Sequence, residues 1–287
     1  MSLADYLRDW HPDNDIRTER LSPGPMRGLA ALLDRTVAAD EGSPLPPLWH
    51  WLYFLDALPQ SALGPDGHPR DGGFLPPIPH RRRMFAGGRL TVHRPLTIGD
   101  EVTRVSTLER TTLKQGSTSE LLFVTVRNEF SVGGTPMVVE ESDLVYRSDD
   151  SATPAAASGP PIEPAPATDA PWQLTFTADP VRLFRFSALT GNAHRIHYDE
   201  PYTREVEGFS GLVVHGPLLA LLLLELPRRF APERTVASFE FRARKPIFAG
   251  QPFTVHGRDD DPGIGTWNLA IDTGNAPEAM TGSVWLN

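Results

Sequence analysis

A chain of 287 residues is long enough to bury one large core or two ordinary ones, and its 40% hydrophobic and 22% charged residues describe a folded globular protein, neither disordered nor fibrous. A formal charge of -9 leaves no dominant basic face for a phosphate backbone, so nucleic acid is excluded as the main partner. With no cysteine, disulfides, thiolate metal sites and a cysteine nucleophile are excluded as well.

The chain opens on "MSLADYLRDWHPDNDI", acidic and amphipathic, with neither the basic leader nor the apolar run of a signal peptide; a cytoplasmic location is expected. Next comes "LWHWLYFLDALP", which reads as an apolar helix ending at Pro59. Behind it lies the Gly- and Pro-rich stretch "GPDGHPRDGGFLPPIPHRRRMFAGG", which carries Arg81, Arg82 and Arg83. Long loops of this kind are often functional. From Gly88, "GRLTVHRPLTIGDEVTRVSTL" alternates, turns at Pro-x-x-x-Gly and alternates again, the pattern of two strands joined by a bent segment. "SELLFVTVRNEFSV" and "MVVEESDLVYRS" add further strands.

The Ala-, Pro- and Ser-rich run from Asp149 to Pro171 cannot build a core and reads as an extended linker. It divides the chain into a first repeat (1–149), a linker (150–171) and a second repeat (172–287). In the second repeat the polar stretch "LTGNAHRIHYDE" precedes "GPLLALLLLELP", a helix apolar nearly all round that should be buried on every side and end at Pro227. The apolar run Leu212–Leu226 is too short, and with His215 and Glu225 too polar, to span a bilayer. "ASFEFRARKPIFAGQPFTVHG" then restates the pattern of the first repeat, with Pro246 and Gly250 answering Pro95 and Gly99. An internal duplication is the simplest explanation. The stretch from Pro59 to Pro95 is longer than that from Pro227 to Pro246, so the first copy carries an insertion. Each half is a helix followed by antiparallel strands, an α+β arrangement in which a curved sheet wraps a buried helix.

Three chemistries could use "LTGNAHRIHYDE". A zinc site would take His194 and His197 with a distant third ligand such as His215, but the H-E-x-x-H form is absent. A serine hydrolase is discarded, because "GFSGL" lacks the spacing of a nucleophile elbow. General acid/base chemistry at a carbonyl compound needs a histidine and a donor for a developing enolate oxygen. Gly216 stands directly before Pro217, at the expected start of the buried helix; its N–H would lie free at the positive helix end with no side chain to block a ligand.

The stretch "FSALTGNAHRIHYDEPYTREVEGFSGLVVHGPLLALL" resembles the hydratase-2 motif of the MaoC-like, double-hotdog enoyl-CoA hydratases and 3-hydroxyacyl-thioester dehydratases. Together with "PPLWHWLYFLDALPQSALGPDGHPRDGGFLPP" and "RRRMFAGGRLTVHRPLTIGDEV", it is similar to the branch containing 3-methylfumaryl-CoA (mesaconyl-C4-CoA) hydratases and type 2 hydroxyacyl-thioester dehydratases. The resemblance implies a double hotdog and a catalytic histidine at His197. The aspartate that pairs with that histidine in the wider family falls on Asn192, which cannot act as a base, and the family's asparagine, proline and supporting serine fall on His194, Arg195 and Leu224. The family's backbone oxyanion donor falls on Gly216.

The implied reaction is reversible addition of water to a 2,3-enoyl thioester, with His197 as base, Asn192 holding the water through its amide oxygen, and Gly216 polarising the thioester. No metal or other cofactor is required. Arg81, Arg82, Arg83 and Arg195 are candidates for coenzyme A phosphates or a free acyl carboxylate, as is Arg244. His194 and His215 are candidates for the pocket wall, and Asp199 for the N-cap of "EPYTREVEG". The expected substrate is a short branched or dicarboxylic enoyl-CoA, the expected assembly a homodimer, and the first repeat is expected to shape the acyl pocket. Two alternatives are a dehydratase of fatty-acid or polyketide type and a noncatalytic acyl-thioester-binding protein.

Overall fold

Alternating apolar and polar residues drive both halves of the chain into antiparallel strands, each with one face on the core. The computed structural model describes residues 3–70, 73–78, 82–115, 120–147, 162–259 and 265–287. Its first half contains α1 (Leu3–Leu7), β1 (Asp15–Arg20), α2 (Pro23–Leu32), the 3-10 turns Trp49–Leu52 and Gln60–Ala62, and then β2 (Arg82–Val92), β3 (Glu101–Gln115), β4 (Glu120–Val132) and β5 (Thr135–Arg147). The second contains β6 (Trp172–Thr177), α3 (Pro180–Thr190), a 3-10 turn at Arg195–His197, α4 (Glu200–Glu205), α5 (Gly216–Phe230), β7 (Val236–Ala243), β8 (Pro252–Arg258), β9 (Thr266–Thr273) and β10 (Ala276–Leu286).

All ten strands join one sheet in the order β1-β3-β4-β5-β2-β7-β10-β9-β8-β6. Outward from the antiparallel seam between β2 and β7, the two halves follow the same path. The backbone repeats it too. Gly99 N–H donates to Leu21 C=O at 2.8 Å, and Gly250 N–H to Ala178 C=O at 2.9 Å. Leu45 N–H reaches Leu96 C=O at 2.7 Å, and Val214 N–H reaches Ile247 C=O at 2.8 Å. The α+β double-hotdog architecture expected from the sequence is the one present.

Helix α5 is buried from Leu218 through Pro227, packed against strands of its own half and against β2. This is the demand its all-round apolarity makes. It runs one turn beyond the expected end at Pro227, to Phe230. Its one buried charge, Glu225, is ion-paired with buried Arg35 just after α2 and with Arg228 at 3.0 Å.

The first copy departs from expectation. "LWHWLYFLDALP" forms no α-helix: a single 3-10 turn at Trp49–Leu52 gives way to extended backbone at Tyr53 and a left-handed residue at Phe54 (φ 57°). Because Leu45 is the hydrogen-bonded counterpart of Val214, this turn occupies the position of the first turn of α5. The stretch is apolar because it is buried, not because it is helical: Trp49, Leu52, Tyr53 and Phe54 are all core residues. Tyr53 Oη donates to Ser22 C=O at 2.6 Å and Phe54 N–H to the Glu19 carboxylate at 2.6 Å, bonds that hold the chain out of a helix.

Of the expected linker, residues 148–161 lie outside the described residues. The described part, 162–171, has no regular structure and lies along β8, where Thr254 Oγ1 donates to Pro166 C=O at 2.6 Å.

Candidate active site

The polar stretch that follows α3 is shaped by caps. Asp179 accepts from Arg182 N–H at 2.8 Å at the start of α3, and Gly191, left-handed at φ 60°, ends the helix. Asn192 then accepts the His194 N–H on its own Oδ1 at 3.0 Å, forming an Asx turn that leads into the 3-10 turn at Arg195–His197. Asp199 caps α4 through Tyr202 N–H at 3.1 Å, as expected.

His197 is 6% exposed. Its Nδ1 lies 2.7 Å from Val213 C=O, which can only accept, so Nδ1 carries the proton and Nε2 keeps its lone pair. Burial pushes this imidazole down to about 4, against the partly compensating Val213 bond, so it is a neutral base at physiological pH. A short segment separates Val213 from α5, and Gly216 forms the first residue of that helix with Pro217 behind it. Among the described residues no acceptor takes the Gly216 N–H. A Cβ there would meet Phe85 of β2 at 2.8 Å, so the start of α5 lies against the other half. His197, Asn192, His194, Gly216 and Arg83 line one groove that runs along the seam.

Several expected residues stand differently. Asn192 turns its amide oxygen to the backbone, so its amide nitrogen is the better group to offer a ligand; this corrects the expected water contact through oxygen. Arg195 is committed elsewhere: it pairs with Asp199 at 2.7 Å, donates to Pro65 C=O at 3.0 Å and stacks on Tyr202. It braces the loop with three of its five N–H groups and is not part of the groove wall. His215 is wholly buried behind the site, stacked on His197 with ring centroids 3.6 Å apart and hydrogen-bonded through Nε2 to Ser187 Oγ at 2.9 Å. It supports the base and does not line the groove. Burial lowers its pKa well below the usual histidine value. Arg244 lines the groove and pairs loosely with Glu278 at 3.7 Å. Arg81 lies outside the described residues, as does the side chain of Arg82, whose backbone pairs with Arg147 across β5.

The insertion of the first half supplies what the sequence reading passed over. Asp66, Gly67 and His68 reach across onto the polar loop of the second half. Arg195 N–H donates to Asp66 C=O at 3.0 Å. A Cβ on Gly67, which sits at φ 92°, would strike Ala193 C=O at 1.9 Å. His68 Nδ1 lies 2.9 Å from Asp66 Oδ2, and its ring is 4.2 Å from that of His194. Burial works to raise the Asp66 pKa, but the hydrogen bond and charge of His68 hold it well below the usual carboxylate range. Burial, with His68 and His197 nearby, pushes His194 down to about 2. The signal is present in "GPDGHPRDGG", a histidine next to glycine and near an aspartate inside a long loop.

The zinc set weighed from the sequence is not assembled, since His215 lies behind His197 and His197 Nδ1 is spent on Val213. Asp66, His68 and His194 each offer an atom within 4.8 Å of the others. Within this trio Asp66 Oδ2 lies 2.9 Å from His68 Nδ1, and the ring of His194 packs beside the pair.

A second cavity of about 360 Å³ opens where α5 has no counterpart. It shares Asn192, Phe85 and Pro217 with the groove, and its walls include His50, Trp51, Phe54, Arg104, Asn128, Glu140 and Ser142. Buried Glu140 accepts from His50 at 2.8 Å, Trp51 Nε1 at 2.9 Å and Ser142 at 2.7 Å, and these partners outweigh burial to keep it ionised. Arg104 pairs with Asp15 at 2.6 Å, while its buried Nε has no acceptor among the described residues.

Residues 48–249 match the family described as hydroxyacyl-thioester dehydratase type 2. Over 258 residues the chain is 44% identical to the mesaconyl-C(4)-CoA hydratase of Chloroflexus aurantiacus, covering 90% of each protein. Over 237 residues it is 29% identical to the mitochondrial hydroxyacyl-thioester dehydratase type 2 of Schizosaccharomyces pombe, covering 74% of this chain and 77% of that one. Among solved structures, a MaoC-like dehydratase superposes with a TM-score of 0.67 at 15% identity, covering 97% of this chain and 99% of its own. HtdX of Mycobacterium tuberculosis superposes with a TM-score of 0.62 at 18% identity, covering 94% and 99%. At those identities the structures bear on the fold alone.

Proposed function

The chain belongs to the type 2 hydroxyacyl-thioester dehydratase family, and from that premise we propose that it catalyses the reversible hydration of an enoyl-CoA thioester. The observation that carries the reading is the pairing of a neutral buried base, His197 with Nε2 unprotonated, and an open N–H, Gly216 at the start of α5, in one groove. The thioester oxygen accepts from Gly216 N–H at the positive end of the helix, which draws electrons from C3 and stabilises the enolate-like transition state. His197 Nε2 takes a proton from the water that attacks C3. Asn192 steadies that water through its amide nitrogen.

The acyl group is short and branched or dicarboxylic, of the mesaconyl-C4-CoA kind. Two features support this. The Chloroflexus relative carries that substrate in its name. The small cavity beside Asn192 has polar walls, Arg104, Asn128 and Ser142 among them, which suit a polar acyl group better than a hydrocarbon tail. The first half thus shapes the acyl site and the second supplies the base and the oxyanion donor. Arg83, in the groove, is a candidate for a phosphate of coenzyme A. The working form is a homodimer in the cytoplasm; among the described residues no helix is long and apolar enough to cross a membrane.

The test is to incubate the protein with mesaconyl-C4-CoA and with crotonyl-CoA and follow the loss of enoyl-thioester absorbance. Turnover of both, faster for the dicarboxylic ester, is expected. Binding without turnover of any enoyl-CoA would overturn the enzymatic reading in favour of an acyl-thioester-binding protein.

A further inference from the structure

With Asn192 where an aspartate would complete a dyad, no carboxylate among the described residues bonds to His197, and the ring is aimed by neutral groups. We propose that His215, held from α3 by Ser187, is the positioning residue of the site: its ring sets the plane of the His197 base and its peptide aims the Gly216 N–H. The inference rests on the hydratase reading above and gives His215 no contact with the substrate.

The ring contacts come first. The bond from His197 Nδ1 to Val213 C=O at 2.7 Å fixes one point of the imidazole but leaves it free to pivot about that bond. The His215 ring lies over it with centroids 3.6 Å and planes 18° apart, which removes the pivot. The two constraints together set the direction of His197 Nε2. His215 is itself fixed, through Nε2 by Ser187 Oγ at 2.9 Å and on its face by the Phe186 ring at 4.9 Å. It is wholly buried, and its Nδ1 has no hydrogen-bond partner among the described residues. A buried orphan N–H is rarer than a bare lone pair, which places the proton on Nε2, donated to Ser187.

The same residue governs the oxyanion donor through its backbone. His215 C=O accepts from Leu219 N–H at 3.1 Å, a bond into α5. A planar trans peptide turns its N–H opposite to its C=O, so this bond points the Gly216 N–H out of the start of the helix. Ser187 completes the arrangement: its C=O accepts the Asn192 N–H at 2.9 Å while its hydroxyl holds His215. One residue near the end of α3 thus ties the loop of Asn192 to the start of α5. Burial keeps His215 neutral, and a neutral ring does not repel the imidazolium that forms when His197 takes a proton.

The experiment measures kcat and KM for crotonyl-CoA in wild type, His215→Ala, His215→Phe, Ser187→Ala and the double variant Ser187→Ala/His215→Phe, with circular dichroism as the check on folding. His215→Ala removes the stacked ring and is expected to lower kcat by about 100-fold, the scale of a misplacement of about 1 Å, with KM nearly unchanged. His215→Phe restores the ring and lacks only the bond to Ser187, so it should lose only about tenfold, the scale of one hydrogen bond. Ser187→Ala breaks that bond from the other side while keeping the carbonyl that holds Asn192, and should lose as much. Because both singles remove one shared bond, the double variant should fall no further than either. A folded His215→Ala with wild-type kcat or a loss confined to KM, or single losses that multiply in the double variant, would overturn the inference while leaving the hydratase reading intact. If His215→Ala fails to fold, the double-variant comparison decides. A wild-type protein that turns over no enoyl-CoA would overturn both.

Discussion

The two halves of this chain share a strand order and several matched backbone hydrogen bonds, yet they differ sharply where the second half has α5: there the first has a single 3-10 turn. The sheet is the constant of the fold and the helix is the variable. Keeping the helix gives the second half a positive helix end and a rigid floor for His197. Losing it gives the first half a polar cavity, and its long insertion reaches over to close the other half's loop. Under the proposed function, one duplicated architecture is divided into a half that carries the base and the oxyanion donor and a half that walls the acyl site.

The division can be broken first at the base. His197→Ala is expected to remove turnover by at least about 10²- to 10⁴-fold while the circular dichroism spectrum and thermal midpoint stay near wild type; an active variant would refute the chemical role of the second half. A milder break is expected at the junction. Gly67→Ala forces a Cβ into Ala193 C=O from a left-handed backbone, so it should detach the insertion, lower kcat/KM by about tenfold or more and cost about 1–3 kcal/mol of stability in denaturant unfolding. The recognition half is sharpened by Arg104→Gln. This should reduce kcat/KM for a dicarboxylic ester by about tenfold, the scale of one charge-assisted hydrogen bond, with little change for crotonyl-CoA; equal losses for both esters would remove Arg104 from recognition.

Acid should act on the second half before the first. His197 and His194 have folded pKa values near 4 and 2, and His215 is lowered as well, all below the value of about 6.5 expected when unfolded. The unfolded chain therefore binds more protons below that value, so stability is full above about pH 6.5 and falls as pH drops towards 4, and further towards 2 for His194. Each group contributes up to about 1.4 kcal/mol per pH unit in its window. Urea unfolding between pH 7 and 4.5 measures the slope, and His215→Phe, which removes one such group while keeping a stacking ring, should flatten it. The smallest effect is at the cap: Asp199→Ala should cost about 1 kcal/mol in the same assay.

The sheet was legible because strand periodicity and the paired Pro-x-x-x-Gly turns are local, and α5 because nothing but full burial suits a helix apolar all round. That His197 and Gly216 share one groove, and that Asp199 caps α4, was legible from motif and capping chemistry. "LWHWLYFLDALP" was misread because apolar content does not distinguish a buried helix from a buried irregular segment; the bonds of Tyr53 and Phe54 to Ser22 and Glu19 decide the matter, and they are remote in sequence. Arg195 and His215 were assigned to the pocket by residue type, whereas tertiary partners, Asp199 and Pro65 for one and Ser187 for the other, occupy them. Asp66 and His68 were hidden for the same reason: their meaning depends on a contact between an insertion in one half and a loop in the other.

The division of labour is tested most directly by a crystal structure with a nonhydrolysable analogue of a dicarboxylic enoyl-CoA. The account predicts the thioester oxygen within about 3 Å of Gly216 N, a hydrogen-bond distance, C3 facing His197 Nε2 and the acyl carboxylate in the first-half cavity beside Arg104. An acyl chain directed away from that cavity, or a thioester oxygen with no contact to Gly216, would contradict it.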